Sequence, residues 1–272
     1  MSSASPIRVV KIGGRPQGDP SLAARVAAAW RAAPGALVVV HGGGDEVTAL
    51  QKAFDVTPRF VGGRRVTSAQ DIDTLRMALS GAANKRLVAR LRAEGLDVIG
   101  LSGEDAGLLV SHAMDAERYG LVGEPREVNV RLLRQLLGAG LLPVLSPLSA
   151  GEAPGETLNV NGDDAASAIA SALGARDLLL VADVPGVLVD GVVVPTLRAS
   201  EARRLVDSGV AAGGMGAKVQ AALAALARGV ARVRIGDLAA IEETERGTTF
   251  LADDAADAAD RPHPLHQNRS VA

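Results

Sequence analysis

The chain has 272 residues, 47% hydrophobic and 22% charged, with 31 Gly, 13 Pro and no Cys. Its 29 basic and 31 acidic side chains nearly cancel, and only three Phe, one Trp and one Tyr supply aromatic rings, which argues against nucleic acid as a partner. The absence of Cys excludes disulfides, thiolate zinc sites and a Cys nucleophile. No run approaches the roughly 18 apolar residues of a membrane span, and residues 1–6 show no signal-peptide pattern, so a cytoplasmic globular protein is expected.

Strand-like and helix-like segments alternate along the chain. Residues 7–12 form a β-branched run that stops at Gly13-Gly14. Asp19-Pro20 reads as an N-cap followed by Pro at the first helical position, opening a helix to about residue 33. A second strand, 37–40, runs into His41-Gly42-Gly43-Gly44. Ser68-Ala69-Gln70-Asp71 has the shape of a capping box, after which Ile72, Leu75, Leu79, Ala83, Leu87 and Leu91 keep helical spacing as far as Gly95. The pattern then predicts strands over 97–101, 141–145 and 178–181, and helices over 129–137 and 163–173. Asp190-Gly191 between 187–189 and 192–194 signals a hairpin. Helices over 199–207 and 218–228 and a strand over 230–235 complete the body. Strands this continuously apolar predict a mainly parallel sheet covered on both faces, a three-layer αβα sandwich. A single domain is expected over 1–252, followed by a disordered tail over 253–272.

Two Gly-rich turns, Lys11-Ile12-Gly13-Gly14 and His41-Gly42-Gly43-Gly44, follow strands directly. Each taken alone reads equally well as an ordinary strand-to-helix turn or as an anion site; together, with a Lys at the end of the first strand, they suit a phosphate cradle. Gly213-Gly214-Met215-Gly216-Ala217-Lys218 has neither the spacing nor the hydroxyl of a Walker A loop, and no Rossmann Gly-x-Gly-x-x-Gly is present. His-Gly-Gly-Gly also occurs in lipase-like hydrolases, but no Gly-x-Ser-x-Gly elbow accompanies it. Only four of the 29 basic residues are Lys, at positions 11, 52, 85 and 218. Retaining Lys11 and Lys218 against an Arg-rich background points to a need for a compact point charge, as at a transferring phosphoryl group; Lys52 reads as a solvated charge. Asn159-Val160-Asn161-Gly162-Asp163-Asp164 opens a helix, where Asn and Asp are usual caps, but it carries more polar groups than one cap needs. Asp163 between two ammonium groups would hold both.

These segments, with Gly63-Arg64-Arg65-Val66-Thr67, Asn84-Lys85 and Asp183-Val184-Pro185-Gly186-Val187, stand in the order found in the amino acid kinase family. The resemblance covers about residues 7–251 and is closest to the members that phosphorylate N-acetylglutamate. It implies an amino acid kinase or carbamate kinase-like fold, with an acyl-amino-acid and dimerisation lobe over about 7–175 and a nucleotide lobe over about 176–252. The implied reaction moves the γ-phosphoryl group of ATP onto a side-chain carboxylate in arginine biosynthesis, with Mg2+ carried on the ATP phosphates and no dedicated protein metal site. Carried over by position, Lys11 and Lys218 would stabilise the phosphoryl group, Asp163 would orient both, and the N–H groups of Gly14 and Gly44 would bind its oxygens. Gly43, Gly44, Arg65, Asn159 and Asn161 would form the acceptor pocket, with Arg65 on the α-carboxylate. Asp183, Val184, Pro185, Gly186, Val187, Leu188, Val210, Ala211 and Ala212, with Lys11 and Lys218, would hold the nucleotide.

The acceptor is already ionised, so no general base is needed and His41 is expected to be structural. Gly216-Ala217 departs from the bulkier apolar residues usual before that lysine. The short stretch ahead of residue 7 lacks the helix that joins arginine-inhibited relatives into hexamers, so an arginine-insensitive homodimer, paired through the apolar stripe of the 71–92 helix, is expected. Two other readings share the fold: a kinase of a carrier-linked or otherwise N-acylated aminoadipate or glutamate, for which Arg59, Arg64 and Arg65 would meet an acidic carrier, and a metabolite sensor without turnover.

Overall fold

Three runs buried throughout but for half-buried Arg8, Arg-Val-Val-Lys-Ile, Leu-Val-Val-Val-His and Asp-Leu-Leu-Leu-Val, make the centre of the molecule because neither face of such a strand can be left in water. The computed structural model describes residues 5–253. The strands are β1 (Arg8–Ile12), β2 (Leu37–His41), the hairpin β3 (Phe60–Val61) and β4 (Arg64–Arg65), β5 (Val98–Gly103), β6 (Leu109–Ala113), β7 (Val122–Val128), β8 (Leu142–Ala150), β9 (Thr157–Val160), β10 (Asp177–Val181), a second hairpin of β11 (Leu188–Val189) and β12 (Val192–Val193), β13 (Thr196–Arg198), β14 (Val233–Gly236) and β15 (Thr248–Leu251). Eleven of them form one sheet in the order β13-β15-β14-β10-β1-β2-β8-β6-β7-β9, with β5 beside β8. The pairings of β1 with β2 and β10, of β2 and β5 with β8, and of β10 with β14 are parallel; β14–β15, β6–β7 and β8–β9 are antiparallel.

The helices are α1 (Gly14–Gln17), α2 (Leu22–Ala32), α3 (Gly44–Ala53), α4 (Ala69–Leu75), α5 (Asn84–Ala93), α6 (Ala116–Tyr119), α7 (Val130–Gly138), α8 (Gly162–Leu173), α9 (Ala199–Asp207) and α10 (Gly213–Ala227). Helix α8 packs on β1, β2, β8 and β10 and against α7 and α10, whereas α2 packs on α5 and the short turn Leu238–Ile241. Among the described residues no helix is long and apolar enough to cross a membrane.

Local signals translate closely. Ser68 and Asp71 close the capping box, Ser68 N donating to Asp71 Oδ2 at 2.8 Å. Asp190 and Gly191 both take left-handed backbone angles, φ 51° and 79°, in the β11–β12 hairpin. Three expectations need correction. Helix α2 begins at Leu22; Asp19 instead accepts from Ser21 N and Oγ at 2.7 and 2.6 Å, making a turn ahead of the helix. Helix α10 starts at Gly213 rather than 218, so the glycine run is its first turn. The predicted 71–92 helix is α4 and α5 joined by a π-helical stretch, Arg76–Ala83. Its stripe of Ile72, Leu75, Leu79, Ala83, Leu87 and Leu91 is buried within the protomer and cannot serve as a dimer face. At the expected tail, Asp253 accepts a hydrogen bond from Ser200 N at 2.8 Å; 254–272 lie outside the described residues.

Candidate active site

In the parallel core, Ile12 stands level with Val181 on one side and His41 on the other. Three strands therefore end together, and the segments that follow them, Gly13-Gly14, Gly42-Gly43-Gly44 and Ala182-Asp183, share one edge of the sheet, where ligands of open α/β sheets bind. Gly42 N donates to Ile12 O at 2.9 Å, tying the two glycine turns to each other. Gly14 and Gly44 are the first residues of α1 and α3, so their N–H groups have no partner within their helices. Gly43 has φ 153°, and a Cβ there would stand 2.7 Å from Leu79 Cδ2, so the turn closes only with Gly.

Lys11 lies in β1 with its side chain almost enclosed, and its Nζ meets Asp163 Oδ1 at 2.8 Å. Asp163 stands in the first turn of α8, and Gly162 before it leaves the space that Lys11 Cε occupies; a Cβ there would be 3.2 Å away. Burial opposes the Asp163 charge, but attraction to Lys11 and Lys218 outweighs it and holds the carboxyl below the ordinary range. Lys218, on α10, is lowered by burial and by the like charge of Lys11, against the pull of Asp163 and Asp183. The structure thus brings Lys11, Asp163, Lys218 and Asp183, from four separate stretches of chain, into one electrostatic cluster.

Beside this cluster is a cavity of about 150 Å3. Val47, Leu75, Leu79, Val122 and Val160 make its apolar wall, and Arg64, Arg65, Asn159 and Asn161 its polar one, with Gly42, Gly43 and Gly44 at the strand ends. Arg65 donates to Gly44 O at 2.9 Å, to Thr48 Oγ1 at 2.8 Å and to Gln51 Oε1, and lies over the Phe60 ring at 4.7 Å. Buried Gln51 in turn donates to Asp71. Asn159 Nδ2 donates to Thr67 Oγ1 at 3.0 Å. Asn161 is the N-cap of α8, its Oδ1 accepting from Asp163 N at 2.8 Å, and it also lines the cavity. Sequence reasoning missed Thr48, Gln51 and Asp71 as the groups that fix the Arg65 fork; Thr48 and Gln51 share one side of α3 three residues apart, which was the signal available.

His41 is wholly buried. Burial pushes its pKa down to about 4. The neutral ring donates from Nδ1 to Gly42 O at 2.7 Å and accepts at Nε2 from Asn84 at 3.1 Å, a tautomer assigned from these partners. It braces the glycine turn, as expected, and Asn84 is its partner.

Of the residues expected to hold the nucleotide, Val187 is buried in the core and its N donates to Thr248 Oγ1 at 2.8 Å, while Leu188 and Val210 are exposed. Ala211 is buried and Ala212 caps α10. The Val187 and Ala211 side chains are buried in the core. Asp183 also pairs with Arg15 at 3.4 Å on the exposed side. Among the described residues no three His, Asp or Glu side chains converge as a metal cluster.

A family model described as the amino acid kinase family matches residues 6–237. An acetylglutamate kinase of Roseiflexus sp. is 44% identical over 253 residues, covering 91% of this chain and 94% of the relative. One from Geobacillus kaustophilus is 45% identical over 73% of this chain and 77% of its own. Among solved structures, smu.665 of Streptococcus mutans superposes with a TM-score of 0.79 at 31% identity, covering 91% of this chain and 99% of that one. Carbamate kinase of Giardia lamblia, at 16% identity and a TM-score of 0.68 over 92% of this chain and 99% of its own, shares the fold.

Proposed function

The chain belongs to the amino acid kinase family, and we infer that it phosphorylates the side-chain carboxylate of N-acetyl-L-glutamate with ATP, a step of arginine biosynthesis. The observation that carries this reading is the Lys11–Asp163 ion pair, with Lys218 in its field, at the edge of a cavity walled by Arg65 and Asn159. A carboxylate oxygen of the acceptor attacks the γ-phosphorus of ATP. The bond from that phosphorus to the bridging oxygen breaks, and the electron pair leaves with ADP. The acceptor has no proton to lose, so the work is positioning and charge stabilisation. Lys11 and Lys218 take up charge on the transferring group, Asp163 keeps both lysines in place, and the N–H groups of Gly14 and Gly44 meet phosphoryl oxygens.

Arg65 and Asn159 bind the acceptor α-carboxylate, with Gly43 and Asn161 shaping the pocket. The fork of Arg65 is already set by Gly44, Thr48 and Gln51, which supports a directional contact rather than a diffuse charge. ATP enters as its Mg2+ complex, the ion on phosphate oxygens, and the 183–188 loop and residues 210–212 hold the nucleotide. The half of the sheet formed after residue 175 carries the nucleotide and the other half the acceptor. Arg64 is paired with Asp164 within the protein, which weakens the case for a docked acidic carrier. The retention of Lys11, Asp163 and Lys218 together favours turnover over sensing.

We also infer a homodimer in the cytoplasm. Its interface is the hollow whose apolar lining is Ala49, Leu50, Ala53, Met77, Ala78 and Ala82, with the Glu46–Arg86 ion pair completing the wall and Met77 49% exposed. The experiment that tests the activity offers N-acetylglutamate, N-succinylglutamate, N-acetylaspartate and free glutamate with ATP and Mg2+, trapping acyl phosphate with hydroxylamine. Hydroxamate and ADP are expected to form in equal amounts and fastest with N-acetylglutamate. No N-acetylglutamate-dependent hydroxamate, or a clear preference for another acceptor, overturns the reading.

A further inference from the structure

The hairpin of β3 and β4 supplies Phe60, Gly63, Arg64 and Arg65 to the cavity wall, yet it is a two-stranded sheet of its own, outside the eleven-stranded one. Its turn, Gly62-Gly63, has φ 54° and 76°, so the backbone there carries no side-chain restraint. Arg65 fastens the base of the hairpin to α3. Arg64 reaches the other way: its Nη1 meets Asp164 Oδ2 at 2.6 Å, with the two side chains only 27% and 14% exposed. Asp164 is the residue after Asp163 in the first turn of α8. One helical turn therefore holds two carboxylates with different duties, Asp163 on Lys11 and Asp164 on Arg64.

We propose that Arg64 and Asp164 are a pair of positioning residues that fasten the hairpin wall of the acceptor pocket to the helix bearing Asp163. The inference rests on the reaction proposed above. The pair acts in two ways. It holds Gly63 and Arg65 at the spacing the acceptor needs, and it cancels the Asp164 charge next to a pocket whose ligand is an anion. An exposed ion pair would contribute little; this one is largely shielded, and removing one partner leaves the other uncompensated beside the ligand.

The two effects set an order among variants. Arg64→Met leaves a bare carboxylate at the pocket and raises KM for N-acetylglutamate by about tenfold or more, with kcat changed less than about threefold and KM for ATP unmoved. Arg64→Lys, which keeps the charge, recovers most of the loss. Arg64→Met combined with Asp164→Asn has a lower KM than Arg64→Met alone, because no unpaired charge remains. Hydrogen exchange over 59–66, measured on the full chain without ligands, is faster in Arg64→Met and in Asp164→Asn than in the parent. A parent-like KM in Arg64→Met, a double variant no better than that single, or unchanged exchange each overturns the proposal. The exchange measurement needs no turnover. An enzyme that makes no N-acetylglutamyl hydroxamate would defeat the functional reading while the fastening of the hairpin is still tested.

Discussion

At the scale of single residues, Lys11 and Lys218 are two of four ammonium groups in a chain whose other basic residues are all Arg, and Asp163 lies in the field of both. A guanidinium is wider and planar and does not reproduce a point charge in that space. Lys11→Arg and Lys218→Arg are each expected to lower kcat by about 10²–10³ with little change in melting temperature; near-parental kcat in both would remove the lysines from the mechanism. Arg65→Lys loses the fork held by Gly44, Thr48 and Gln51, and KM for the acyl amino acid should rise while KM for ATP stays put. An effect confined to ATP would assign Arg65 to the wrong pocket. His41 makes a pH prediction. Its pKa is about 4 when folded and 6.5 when free, so between those values the unfolded chain binds a proton that the folded chain refuses. Stability therefore falls as the pH drops through that window, by about 3 kcal/mol at its lower end. Urea unfolding at pH 7 and pH 4.5 should show this loss in the parent and a smaller one in His41→Gln; equal losses would mean His41 is not the group responsible.

Elements differ in how much of their origin is local. The capping box at Ser68 and Asp71, the N-cap Asn129, which accepts from Leu132 N at 3.1 Å, and the Asp190-Gly191 hairpin are each decided within a few residues, and each is legible in the sequence. Strands β6, β7 and β9 are not. Strand β7 contains Pro125 and Gly123, poor strand residues, and is admitted to the sheet by a bulge in its pairing with β6 between Val110 and Ser111. The start of α10 was hidden for a similar reason: Gly213-Gly214 has low helix propensity, and Gly216 is needed because a Cβ there would lie 2.7 Å from Ala211 O. At the loop proposed to hold the nucleotide, Thr248 of β15 accepts from Val187 N at 2.8 Å and donates to Val194 O at 2.6 Å, so one hydroxyl pins the 183–188 loop. Thr248→Val keeps the shape and removes both bonds. Steady-state kinetics should then show KM for ATP raised several-fold and KM for the acceptor unaffected; the reverse pattern would place this loop on the acceptor side.

For the whole molecule, the apolar stripe of the long helix faces inward, and the self-association surface proposed above is the face that carries Met77. Met77→Glu puts a charge on each side of an isologous contact, and light scattering after size exclusion should show a dimer in the parent and a monomer in the variant. Identical masses would exclude this face. The sequence by itself determined the class of fold, because fully apolar strands alternating with helices have few solutions other than a covered parallel sheet. It also singled out the candidate site residues, because Lys against an Arg background, Gly at strand ends and a surplus of Asn and Asp at one helix start are chemical choices visible residue by residue. Tertiary structure alone decided which groups meet. Lys11 and Asp163 are 152 positions apart in the numbering and become neighbours only when β1 and α8 pack. Gln51, Asn84 and Thr248 gain their duties the same way, since a hydrogen bond between distant segments leaves no periodic mark on either one.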